Sequence, residues 1–141
     1  MAIRKERTAR AIITLGSYVL LARGKHDVFY HLPGGHCENG ESAGDTLRRE
    51  LREELGRDVS ELRLVTTLRN TYTKGAITVD EQMTVYKATL FPVISESPPR
   101  SMEEHLTFAW MPVAGLWQVN LLPPVLKDWI GYAAGGVGSW A

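Results

Sequence analysis

Residues 42–56, SAGDTLRRELREELG, carry an apolar residue at every fourth position: Ala43, Leu47, Leu51 and Leu55. On a helix these side chains form one stripe that can lie against a sheet. Ser42 stands where an N-cap accepts a backbone N–H, Asp45 takes the capping-box place three residues later, and Gly56 supplies the stop. The spacing therefore predicts a helix over 43–55. The same stretch sets Glu50, Glu53 and Glu54 at i, i+3 and i+4, where each like-charge pair costs an isolated helix about 0.2–0.5 kcal/mol. With Glu50 as zero, the apolar stripe spans roughly 20° to 140° and Glu54 falls near roughly 40°. A carboxylate directed at packed surface is costly unless it is protonated, paired or bound to a metal.

The flanking segments read mostly as strands. TARAIITLGSYVLLARG, residues 8–24, is two apolar runs broken at Gly16-Ser17, a hairpin signal, and DVFYHL predicts a third short strand. Pro33-Gly34-Gly35 predicts the start of a loop. LRLVTTLRNTYT and QMTVYKATLFPV predict two longer strands separated by a turn through KGAITVDE. SESPPRSMEE reads as a polar loop, LTFAWMPV as a short apolar run, AGLWQV as one helical turn and LLPPVLKDWIGYAA as a second amphipathic helix. Strands around an internal helix, then strands and a final helix, indicate an α/β or α+β sandwich with helices on a mixed sheet.

Length and charge set the remaining bounds. A chain of 141 residues suits one domain, 1–141, with residues 1–7 and 135–141 expected to be loose. Sixteen Lys+Arg against sixteen Asp+Glu give no overall drive toward an extended nucleic acid. The lone Cys37 fits a reducing cytoplasm, and no run reaches the roughly 20 apolar residues of a membrane span. A homodimer is compatible with these features, and none of them selects it.

Arg49 and Arg57 each stand four residues from Glu53, so the acids could simply form solvent salt bridges. The other reading is a hard divalent cation such as Mg²⁺, which takes a few carboxylates together with substrate phosphates. The preceding Leu-Pro-Gly-Gly turn can bring bare backbone to the same ion or phosphate, and Glu41 could join it.

The full stretch GHCENGESAGDTLRRELREELG, residues 35–56, resembles the Nudix box of the Nudix hydrolases, with Gly35, Glu41, Arg49, Glu50, Leu51, Glu53, Glu54 and Gly56 in its fixed places. The last aliphatic place holds Arg57 instead, which weakens a packing contact and removes no ligand. Seven fixed letters coincide by chance in fewer than about one window in 10⁸. Phe108-Ala109-Trp110 and the proline-led final helix agree in outline with many family members.

The resemblance implies a Nudix-type α/β/α sandwich with a mixed central sheet. It also implies a Mg²⁺-dependent pyrophosphohydrolase, Mn²⁺ being a plausible substitute, acting on a small nucleoside diphosphate derivative or a nucleoside triphosphate. It makes Glu50, Glu53 and Glu54 metal ligands, with the backbone of Gly34 or Gly35 completing the shell. Arg49 would pair with Glu41 or Glu53 and orient the cluster, and Glu53 or Glu50 would be the general base. Glu103 and Glu104 are read as solvated loop acids, with a base from this later loop as the alternative. Arg23 is placed to reach phosphate from beside the box. His31 and His36 flank the turn and are left outside the catalytic set, Cys37 is not read as a nucleophile, Glu81 is read as part of a solvated turn, and Trp110 as structural. The competing functional reading is a nucleotide-sensing domain that regulates a partner without turnover.

Overall fold

The computed structural model describes residues 2–135. Chain order is β1 (Ala2–Ile12), β2 (Thr14–Leu15), β3 (Tyr18–Gly24), β4 (Gly34–His36), α1 (Ala43–Leu55), β5 (Asp58–Lys74), β6 (Ile77–Phe91), β7 (Leu106–Pro112), a 3₁₀ helix (Val113–Gln118) and α2 (Leu126–Gly135). The main sheet has the order β4-β1-β6-β5; β1 runs parallel to β6 and the other pairs are antiparallel. A smaller sheet has the order β2-β3-β7.

Strand alternation sends side chains to two cores. Ala9, Ala11 and Ile13 face Leu47, Leu51 and Leu55 of α1, while Ile12, Met83 and Val85 face Leu126 and Ile130 of α2. Helices thus cover the two faces of a mixed sheet, the α/β/α sandwich expected. Helix α1 has the expected bounds: Ser42 accepts from the Asp45 N–H at 3.1 Å, and Gly56, at φ 66°, closes it.

Four expectations are corrected. Residues 2–7 are not loose but form the start of β1, paired in parallel with 77–82. DVFYHL makes only isolated bridges, Ala22 with His31 and Tyr30 with Leu121, because its backbone bonds are split between Ala22 on one side and Asn120 and Leu122 on the other. The loop expected after Pro33 contains β4, since glycines at 34 and 35 allow the backbone to close on β1. The turn through KGAITVDE is confined to Gly75-Ala76, and β6 already begins at Ile77. Residues 136–141 lie outside those described, so the expectation of a loose C-terminus falls largely there.

Candidate active site

Two glycines fit β4 between β1 and the Glu50 side chain of α1. Gly34, at φ 136°, lies so close to the Ala9 carbonyl that a Cβ would overlap it, and a Cβ at Gly35 would fall 2.6 and 2.7 Å from the Glu50 carboxylate oxygens. Gly34 is thus required by the β1 backbone, and Gly35 leaves the Glu50 carboxylate room beside the strand. Glu54, only 5% exposed, accepts from the Gly34 N–H at 3.3 Å. Burial, followed by the neighbouring Glu50 charge, pushes its pKa up to about 8.

Glu41 is in the opposite condition. Its carboxylate accepts from the Glu38 N–H at 3.0 Å, Thr46 Oγ1 at 2.7 Å, and Arg49 Nε and Nη2 at 2.9 and 3.0 Å. The Arg49 guanidinium leads the groups that hold its pKa down, to about 2. Arg49 also donates to Glu50 at 3.0 Å, to the His36 carbonyl at 3.1 Å and, more loosely, to Glu53 at 3.4 Å. These acceptors raise its own pKa, Glu41 most of all. One guanidinium thus spans Glu41, Glu50 and Glu53.

The structure brings Glu50 and Glu54 together against Gly34 and Gly35. Glu53 turns outward with half of its side chain exposed. Among the described residues no group of three or more His, Cys, Asp or Glu side chains is disposed to hold a metal as it stands. The donor set at this end of α1 is nevertheless all oxygen, the chemistry a hard divalent cation takes, and the room beside Glu50 exists because Gly35 has no Cβ.

The Arg23 guanidinium lies over the Tyr30 ring, 5.4 Å from its centroid, and its buried Nε is without a partner among the described residues. The loop carrying Glu103 and Glu104 is fastened to the C-terminal end of α1 by the Met102 N–H on the Glu54 carbonyl at 2.8 Å. Trp110 donates to the Glu96 carbonyl at 3.0 Å. Cys37 is a free thiol.

On the α2 side of the sheet lies a cavity of about 510 Å³, lined in part by Arg10, His31, Asn70, Tyr72, Glu81 and Met83. Glu81 is buried mid-strand instead of sitting in a solvated turn; Thr8 Oγ1 donates to it at 2.6 Å and Asn70 Nδ2 at 3.1 Å. His31 and His36 both line this cavity; burial, then Arg10, lowers the pKa of His31, and His36 pairs with Glu6 at 2.9 Å. The sequence reading missed Arg10 and Asn70. The signal for Arg10 was a lone cation inside the apolar run TARAII, which strand alternation places on the same face as Ile12.

A family model described as NUDIX domain matches residues 4–130. Over 59 residues, 42% of the chain, it is 39% identical to a Bacillus subtilis (strain 168) protein named "Putative ADP-ribose pyrophosphatase YjhB", and the match spans only 28% of that protein's length. The mutator MutT protein from Bacillus halodurans is similar in fold with TM-score 0.71 at 21% identity, covering 93% of this chain and 83% of that one. A NUDIX hydrolase from Nitrosomonas europaea superposes with TM-score 0.68 at 22% identity, covering 94% and 90%. Among the described residues no helix is long and apolar enough to cross a membrane.

Proposed function

Because this chain belongs to the Nudix family, we propose that it is a Mg²⁺-dependent pyrophosphohydrolase that cleaves the phosphoric anhydride bond of a nucleoside diphosphate derivative or a nucleoside triphosphate. The observation that carries the reading is the paired condition of Glu50 and Glu54. Both are packed against Gly34-Gly35, and Glu54 is buried with a single N–H donor and a pKa pushed up to about 8. Glu50 and Glu54, with the Gly34-Gly35 backbone, would hold the ion, and Glu53 would reach it from the exposed flank. Bound there, the ion supplies neutralisation of phosphate charge and a lowered pKa for the attacking water.

The chain's own groups would do the rest. Arg49, fixed on Glu41, holds Glu50 in place and limits the positions Glu53 can take. Glu53, the most open of the three acids, takes the water's proton in this scheme, and Arg23 meets substrate phosphate. The 1–141 chain acts as one catalytic unit, in a reducing cytoplasm where Cys37 stays a thiol.

The test is incubation with Mg²⁺ and a panel of ADP-ribose, dinucleotides, nucleotide sugars, normal triphosphates and oxidised triphosphates. ADP-ribose leads the panel because of the partial match to the Bacillus subtilis protein. Release of a nucleoside monophosphate with a phosphorylated partner, or of pyrophosphate from a triphosphate, supports the reading. Absence of product from every compound would favour ligand sensing over turnover.

A further inference from the structure

Arg10 is a cation in the interior of the main sheet, opposite Gly34 of β4 and Val85 of β6, yet it pairs with no acid among the described residues. One part of its guanidinium is fixed: Nη1 donates to the Leu32 carbonyl at 3.1 Å and lies 3.5 Å from His31 Nδ1. The other part is not. Nε is buried without an acceptor, and no described residue accepts from Nη2. Glu81, on the same cavity wall, is already held by Thr8 and Asn70 instead of closing on Arg10.

Buried donors are nearly always paired. The Nε–H and Nη2–H of a guanidinium form a planar fork shaped for two adjacent acceptor atoms. Arg10 lines the cavity together with Glu81 and stands opposite Gly34, whose N–H meets Glu54 of the acidic patch. Phe29, Tyr72, Met83 and Leu126 provide flat and apolar wall, and about 510 Å³ is within the size of small-ligand pockets.

We propose that the Nε–Nη2 edge of Arg10 is the recognition edge of this cavity and takes two adjacent acceptors from a nucleotide, either paired oxygens of a phosphate or the O6/N7 edge of guanine. The assignment deepens the hydrolase reading and rests on it in taking the ligand to be a nucleotide, its nucleoside seated among Phe29, Tyr72 and Met83.

GMP and AMP carry no anhydride bond, so their binding can be read with Mg²⁺ present and without turnover. These two, guanosine and inorganic phosphate are titrated into the protein, with calorimetry and the side-chain Nε–H resonance of Arg10 as readouts. GMP or AMP should shift that resonance, and Arg10→Lys, which keeps the charge and loses the fork, should weaken binding by about 10-fold or more with an unchanged circular dichroism spectrum. A shift with phosphate alone assigns the phosphate oxygens; a shift with GMP and guanosine but not AMP assigns the base edge. Nucleotide binding that leaves the resonance still, R10K binding like the wild type, or no binding by any probe overturns the proposal. Should R10K fail to fold, the wild-type resonance decides. A protein that binds and shifts Arg10 but releases no product from the substrate panel sinks the hydrolase reading and leaves this one standing.

Discussion

The two ends of α1 treat a glutamate in opposite ways. At the N-terminal end Glu41 has four donors within 3.0 Å and a pKa held down to about 2. At the C-terminal end Glu54 has one donor at 3.3 Å, almost no exposure and a pKa pushed up to about 8. The first charge is saturated and braces the fold. The second is under-compensated, and a buried carboxylate in that condition needs a proton or an additional cation. In the proposed reaction, this difference would separate the acid that positions from the acid that binds.

Glu54→Gln gives the largest effect. It keeps shape and removes the charge, so Mg²⁺-dependent kcat/KM should fall by about 100-fold or more. The metal-free variant should melt at or above the wild-type temperature at pH 8, because the amide matches the uncharged form that burial favours. Activity equal to wild type would remove Glu54 from the proposed ligand set. Arg49→Lys comes next. Lysine cannot serve Glu41 through two nitrogens while also reaching Glu50, and losses of about 10- to 100-fold in activity or metal affinity are usual for such supporting groups. A calorimetric Mg²⁺ affinity left unchanged would show that Glu41 and Glu50 hold their places without it.

The helix, its caps and its acids were legible in residues 41–56, because a helix brings sequence neighbours together at fixed spacing. The cavity wall was not. Thr8 and Glu81 are 73 residues apart and meet only because β1 pairs in parallel with β6, and Asn70 meets Glu81 through the antiparallel register of β5. IRKER, residues 3–7, was equally hidden: no apolar alternation marks it as a strand, and its order comes from backbone pairing with residues 78–82. Arg10 could have been suspected from its place between Ala9 and Ala11, but nothing local showed that its Nε would lack a partner.

The Glu41 end makes its own prediction, in acid. The folded-state pKa is depressed below the ordinary 4.5, so the contribution of Glu41 to stability is fully present above about 4.5 and is lost as pH falls toward about 2. Denaturant unfolding of the metal-free protein should show wild type losing stability across this window more steeply than Glu41→Gln, which has no proton to gain. Parallel curves would place the acid sensitivity elsewhere.

Arg57→Leu restores the aliphatic residue that the Nudix box places after Gly56, and it should have the smallest effect. Arg57 already has partners: Nε donates to the Pro92 carbonyl at 3.0 Å, Nη1 to the Leu55 carbonyl at 3.3 Å, and Nη2 meets Glu96 at 3.4 Å. These bonds tie the end of α1 to the segment after β6, a job an aliphatic side chain would do by packing. The Glu96 pair is partly exposed and contributes at most about 1 kcal/mol. Leucine should therefore change unfolding free energy by less than about 1 kcal/mol and leave kcat/KM within about 2-fold, since the charge it removes faces Glu96 instead of Glu53 or Glu54. A large loss of activity with unchanged stability would extend the charge network of α1 beyond its cap and blur the division between its two ends.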